Sequence, residues 1–248
     1  METSGQVDRL FNVEVLSCTK NPETLVYQAL HQCYSSNPVS ASTGKLPSET
    51  ECGAIIVKRL LAGGKGHYSP LEMASMVLSC QYLNHALVQQ IRTHRVGVSF
   101  SVQSFRYTSQ SILNAAAGNN LDVEKAFYLR PIGDYNDREG NKYIYTQEQR
   151  DCDLKHCHNT AIRYRTNVES GMPEEQARGM INFDVRQHMV MGVNARSLMH
   201  LLDVRGIQNA QLEIQWFSSL LFRAFSDWCP EVSKWYLDNR MGKSKLAP

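Results

Sequence analysis

The chain has 248 residues, of which 42% are hydrophobic, 20% charged and 9% aromatic. These proportions exclude a disordered, collagen-like or coiled-coil chain, and the length suffices to bury a substantial core. Lys and Arg total 26 against 24 Asp and Glu. A net charge of +2 gives no general electrostatic grip on nucleic acid, so nucleic acid is not expected as a partner.

The first ten residues carry Glu2 and Asp8 and no apolar run, so no secretory signal is expected there. No stretch reaches the roughly 20 apolar residues of a membrane span. The best candidate, residues 73–91, is interrupted by Ser75, Gln81, Asn84, His85, Gln89 and Gln90. Seven cysteines without a CxxC pair are read as reduced thiols, and the location is expected to be cytoplasmic. Cys152, His156 and Cys157 share one side of a polar helix, next to His158. No second ligand pair sits at finger-like spacing, so no metal is expected.

In chain order, residues 11–17 (FNVEVLS) alternate apolar and polar, as a half-buried strand does. Asn21-Pro22 offers an N-cap and a proline at the first helical position, opening a helix to about residue 34. Residues 35–47 read as a Ser/Pro/Gly loop. Ser48 and Glu51 have the form of a capping box, and the apolar run behind them stops at Gly63-Gly64. Met76-Val77-Leu78 predicts a short buried strand, while Leu87, Val88 and Ile91 keep helical spacing from Leu83. Residues 127–131 and 142–146 are expected to form the arms of a long hairpin whose polar tip is Asn136-Asp137-Arg138-Glu139-Gly140. Residues 147–170 predict a polar surface helix, Met172-Pro173-Glu174-Glu175 starts another, and residues 183–191 predict a strand. The remainder is expected to be helical over 195–204, 207–228 and 230–239. No composition break marks a boundary, so one α+β domain over residues 1–248 is expected.

The densest chemistry lies in residues 89–107, QQIRTHRVGVSFSVQSFRY. Arg92, His94 and Arg95 close a helix, and Ser99, Ser101, Gln103, Ser104 and Arg106 follow. Arginine forks with hydroxyls and backbone N–H groups suit a phosphorylated ligand. A basic helix end set against the helix dipole and followed by an ordinary strand is the other reading, and by chemistry alone both stand. Ser104 lacks the GxSxG elbow of a nucleophilic serine.

Arg92, His94, Arg95, Ser99, Ser104 and Arg106-Tyr107 resemble the signature RHRxxSxNxxSxRY of the flavin-dependent thymidylate synthases. Thr93 splits the first Arg from His-Arg, one further residue precedes Ser99, Ser101 stands where Asn is common, and Val102 replaces an acidic residue. Three other segments resemble the same family in order and spacing. His67-Tyr68-Ser69-Pro70-Leu71-Glu72 is similar to its H-x-[ST]-P-x-E stretch, although Ser69 with Glu72 also has the form of a capping box. Asn194-Ala195-Arg196-Ser197-Leu198-Met199-His200, followed by Asp203-Val204-Arg205, is similar to its NARSLxxxLxxR helix. Gln176-Ala177-Arg178 precedes that helix at the family's distance, with Asn182 where Pro is frequent.

The resemblance implies an α+β fold with a helical part packed on a mostly antiparallel sheet, and homotetramers whose flavin sites draw on several subunits. It implies reductive methylation of dUMP to dTMP, with methylenetetrahydrofolate giving the carbon and NADPH-reduced FAD the hydride. Carried over position by position, His67, Ser69, Glu72, Arg92, His94, Arg95, Asn194, Arg196 and His200 would hold FAD. The dUMP set would be Gln89, Arg92, Gln103, Ser104, Phe105, Arg106, Arg178 and Arg205, with Arg205 as the electrostatic catalyst. A cysteine-nucleophile synthase would need an activated thiol beside His and Arg, and Cys18, Cys33, Cys52, Cys80 and Cys229 are read as lacking such company. A folate enzyme acting on uridine in RNA would present a Gly-rich dinucleotide fingerprint, and Gly63-Gly64-Lys65-Gly66 lacks GxGxxG spacing.

Overall fold

The computed structural model describes residues 8–41, 46–62, 67–137 and 139–243. The glycine cluster 63–66, residues 42–45 of the expected loop and Arg138 of the expected hairpin tip lie outside them. In chain order the elements are β1 (Asn12–Cys18), α1 (Pro22–Gln32), α2 (Glu49–Ile56), β2 (Ser75–Asn84), α3 (His85–Ile91) and β3 (Val98–Val102). Then come α4 (Gln110–Ala117), α5 (Asn120–Ala126), β4 (Gly133–Asn136), β5 (Lys142–Tyr145), α6 (Gln147–Glu169) and α7 (Glu174–Ala177). The chain continues with β6 (Arg186–Asn194), α8 (Ala195–Arg205), α9 (Leu212–Trp228) and α10 (Pro230–Asn239). Helices combine with an antiparallel sheet, the α+β class expected. Four strands pair in the order β1-β2-β6-β3, and β4 pairs antiparallel with β5.

The fold groups into two compact units, each assembled from separated stretches. The first holds the residues up to Asn12, Cys80–Thr93 and Ser101–Met189. The second holds Val13–Ser79, His94–Phe100 and the residues from Val190 on. The chain changes unit several times, within β2, β3 and β6 among other places. Neither unit is a contiguous part of the sequence, which is why no break in composition announces either.

In the first unit, α6 is less superficial than its polar sequence implies. Cys157, Thr160, Ala161 and Tyr164 recur at i, i+3, i+4 and i+7 and are all buried. Cys157, Ala161 and Tyr164 join Ile112 and Ala115 of α4, Val123 and Ala126 of α5, Phe105, Phe127 and Val185 in one apolar core. Neither α4 nor α5 figures among the expected elements. The hairpin keeps its expected tip and second arm, but its first arm is displaced. Its arms are Gly133–Asn136 and Lys142–Tyr145, whereas Phe127 is fully buried and bridges Val185. An apolar residue gains more by entering the core than by extending an exposed ribbon. At the tip, Asp137 accepts from the backbone of Glu139 and Asn141, and Gly140 takes the positive φ (87°) that such a turn requires.

In the second unit the helices are capped in ways the local sequence only partly discloses. Ser48 and Glu51 form the expected capping box of α2. Asn21, however, lies in the left-handed region (φ 47°) and makes no side-chain cap. The Glu49 carboxylate takes that place, accepting from the N–H groups of Glu23 (2.7 Å) and Thr24 (3.0 Å). α1 ends at Gln32, two residues before the expected Tyr34, and α9 begins at Leu212, five residues after the expected start at Ile207. Ser69–Glu72 is a single 3₁₀ turn without a side-chain cap, so the capping-box reading of Ser69 and Glu72 fails. The α9 face carrying Ile214, Phe217, Leu221, Phe225 and Trp228 is buried and supplies much of this unit's apolar core.

Candidate functional site

The second unit brings together most of the residues expected to hold flavin. Two of them sit where β6 turns into α8. Asn194 is extended (φ −88°, ψ 163°), and its side chain caps the helix by accepting from Ser197 N–H at 2.8 Å. Asn194 N–H donates to the Gly97 carbonyl, and a Cβ built on Gly97 would run into the Ser197 hydroxyl and the Asn194 amide. Gly97 has φ 65°, so both the space and the backbone conformation call for glycine there. One helical step on, Arg196 pairs with Glu72 at 2.5 Å, with both side chains over one third exposed.

His94, His200 and Arg205 form a second cluster in this unit. The rings of His94 and His200 meet edge to face with centroids 6.0 Å apart. Arg205 Nε donates to His94 Nε2 at 2.9 Å. Because a guanidinium nitrogen can only donate, Nε2 is the unprotonated acceptor and the ring proton sits on Nδ1. Burial first, then the Arg205 charge and His200, hold His94 below its usual 6.5, keeping the ring neutral. The Nδ1 of His200 is buried and meets no hydrogen-bond partner. Asp203 is held by the Tyr236 hydroxyl (2.9 Å) and by Arg240, whose Nη2 approaches to 2.7 Å.

His67 is half-buried, and Cys33 Sγ lies 3.8 Å from its Nε2. The reading that Cys33 lacks histidine company is therefore wrong: the two side chains meet across 34 residues. Cys52, Cys80, Cys157 and Cys229 are buried. Burial pushes the thiols of Cys157 and Cys80 up to about 11 and about 12, far from a thiolate at neutral pH. Among the described residues, no group of three or more His, Cys, Asp and Glu is arranged to hold a metal ion.

The first unit gathers the residues expected to hold the nucleotide. Gln103 is pinned to β6: its N–H donates to the His188 carbonyl at 2.9 Å, and its Oε1 accepts from His188 N–H at 3.0 Å. Behind it Phe105 is buried in the core, while Ser104 accepts from Arg106 N–H. That anchoring leaves the Arg106 guanidinium half-exposed beside Glu175 at 3.1 Å. The Glu175 carbonyl in turn accepts from Arg178 Nε at 3.2 Å, so Arg106 and Arg178 share one acidic residue. Gln89 and Arg92 lie in the same unit on α3 and at its C-cap, both exposed. A cleft of ≈ 230 Å³ opens beside Gln103, lined also by Tyr82, Ser111, Asn114, Lys125 and His188. Tyr82 has a positive φ (58°), with its N–H on His188 Nδ1 and its carbonyl on Arg186.

The expected flavin set thus falls in the second unit except for Arg92, and the expected dUMP set falls in the first except for Arg205. The family model described as thymidylate synthase complementing protein matches residues 14–231. A curated flavin-dependent thymidylate synthase of Haloarcula marismortui is 30% identical over 247 residues, covering 96% of this chain and 100% of the relative. The chain belongs to the flavin-dependent thymidylate synthases. A second relative so named, from Halobacterium salinarum, is 29% identical and covers 95% of this chain and 99% of itself.

Solved structures agree on the fold of this synthase family. Thymidylate synthase X of Helicobacter pylori, determined with FAD and dUMP, superposes with a TM-score of 0.68 at 20% identity, over 94% of this chain and 100% of that one. The UMP/dUMP methylase PolB of Streptomyces cacaoi, bound with 5-Br dUMP, gives a TM-score of 0.73 at 19% identity, over 94% and 96% of the two chains. No helix among the described residues is long and apolar enough to cross a membrane. Two groups in these clusters escape the sequence reading. Gly97 carries a signal, a glycine inside the signature where the extra residue falls, but Glu175 carries none, because its partner Arg106 is remote in the chain.

Proposed function

We propose that this chain performs the synthase reaction, reductive methylation of dUMP to dTMP, with FAD bound in the second unit and dUMP at the first unit's arginines. The observation that supports it is the segregation of the expected residues: scattered from His67 to Arg205, they fall into one unit holding His94, Asn194, Arg196 and His200 and another holding Gln103, Arg106 and Arg178. The residues fit FAD. Arg95 is exposed, Arg196 is half-buried, and His200 Nδ1 is an unmet buried polar atom, a cationic and donor-rich set of the kind a diphosphate requires. When bound, FAD would carry the hydride, with NADPH as its source and methylenetetrahydrofolate as the carbon donor.

The chain's own residues supply binding and charge. Arg106 and Arg178 present guanidinium groups to a phosphate dianion, which competes with Glu175 for them. Arg205 is assigned to the charge that develops on the pyrimidine, and its hydrogen bond to His94 fixes its direction. His94, neutral with its proton on Nδ1, offers one N–H donor and no positive charge. No protein nucleophile is required, and the burial of four thiols supports that reading. The working form is a homotetramer with active sites shared between subunits.

The test is the absorbance spectrum of the purified chain, followed by dTMP formation from dUMP, methylenetetrahydrofolate and NADPH. A yellow protein that turns over dUMP is expected. A preparation that stays colourless after incubation with FAD would overturn the assignment.

A further inference from the structure

Gln89 and the segment from Gln103 to Arg106 are assigned above to the nucleotide, and no motif explains what aims them. Gln187 on β6 is 4% exposed, and its Nε2 lies 3.2 Å from the Gln103 carbonyl. A carbonyl only accepts, so this contact fixes the Gln187 amide: Nε2 donates to Gln103 and Oε1 remains an acceptor. His85 Nδ1 stands 2.6 Å from that Oε1 and must therefore carry the ring proton. In the neutral ring Nε2 is left as an acceptor, and Gln89 Nε2 donates to it across 3.0 Å. Every group along Gln103–Gln187–His85–Gln89 is thus oriented from one end. Phe183 meets the His85 ring edge to face at 5.1 Å, and His85 N–H donates to the Val185 carbonyl, so the imidazole is held from both its ring and its backbone.

We infer that His85 and Gln187 are positioning residues for the nucleotide site: they aim the Gln89 amide and tether the main chain one residue before Ser104. This rests on the assignment of Gln89 and Gln103–Arg106 to dUMP. The exposed Gln89 side chain would otherwise lose several rotamers each time a nucleotide bound, and the tether removes that loss in advance. It leaves Gln89 Oε1 and one amide N–H for the ligand.

The test is calorimetric titration of dUMP into the flavin-loaded chain and its variants. His85→Phe keeps a ring against Phe183 but deletes both nitrogens, leaving Gln187 Oε1 buried without its donor. Roughly tenfold weaker dUMP binding is expected, with flavin content unchanged. His85→Asn, whose amide N–H stands near the place of Nδ1–H, should recover part of the affinity. Gln187→Leu should weaken dUMP to the same extent, and combining it with His85→Phe should add little. Unchanged dUMP affinity in the two folded single variants overturns the inference, whatever their thermal stability, and so do fully additive losses in the double variant. If the wild-type chain binds no dUMP, the nucleotide assignment itself fails. The relay is then read from the ¹⁵N resonances of His85, where a protonated Nε2 with a bare Nδ1 overturns it.

Discussion

Glu23 offers a prediction whose size follows from its surroundings. It is 1% exposed on α1, and its Oε1 accepts from Val232 N–H at 2.9 Å. Cys229 gives α10 no side-chain cap, so Glu23 caps that helix from a distance. Oε2 is buried without a partner, and Gly53 of α2 leaves room for the carboxyl, since a Cβ there would meet it. Burial dominates. Helped by the charges of Glu49 and Glu231 and opposed by the amides of Val232 and Glu231, it raises the carboxyl from 4.5 to about 7. An acid with a higher pKa folded than unfolded stabilises the fold fully below the unfolded value, and loses that stabilisation as pH rises through the folded one. Each tenfold change in proton affinity is worth about 1.36 kcal/mol, so between pH 5 and pH 8 the wild-type chain should lose roughly 2.5 kcal/mol through this group. Glu23→Gln keeps the acceptor for Val232 and stays neutral throughout, its amide N–H groups facing Glu49 and Glu231. Urea unfolding followed by circular dichroism should find the variant close to wild type at pH 5 and clearly more stable at pH 8. A stability difference that is the same at both values, or a variant less stable at pH 8, would refute the argument.

Four further outcomes are expected. Arg205→Ala should keep flavin and fold yet lose about a hundredfold in turnover, with Arg205→Lys recovering part. In the same Arg205→Ala variant the His94 midpoint should climb back toward 6.5 by NMR titration, since one of the forces depressing it is gone; a static midpoint would deny the contact. Cys33→Ser tests a thiol that lies against a histidine: turnover should persist, and its abolition with the fold and flavin intact would instead indicate a nucleophile. Inactive Arg92→Ala and Arg196→Ala chains, mixed and reannealed, should regain some activity if sites are shared. No recovery in proven mixed tetramers would count against sharing.

Sequence alone determined much of what depends on neighbours within a turn or two. The strand expected over residues 11–17 is β1, although its Val15 and Leu16 are exposed rather than half-buried. Ser48 and Glu51 close their capping box, and the i, i+3, i+4 leucines of α8 point to a core. Family membership was legible for a related reason: the spacings within each motif are short and survive without knowledge of the fold. Tertiary structure decided the contacts whose partners are distant in the chain. Arg205 reaches His94 across 111 residues, Arg196 reaches Glu72 across 124, and Glu23 caps α10 across 209. No local pattern encodes these pairs, because each follows from which polar groups burial leaves unmet and which others lie close enough to satisfy them. The same competition moved the hairpin's first arm. Phe127 reads locally as part of a ribbon, but its side chain gains more in the core, so the first strand starts only at Gly133, while the turn stays at the polar tip, where Asp137 and Gly140 satisfy their own backbone.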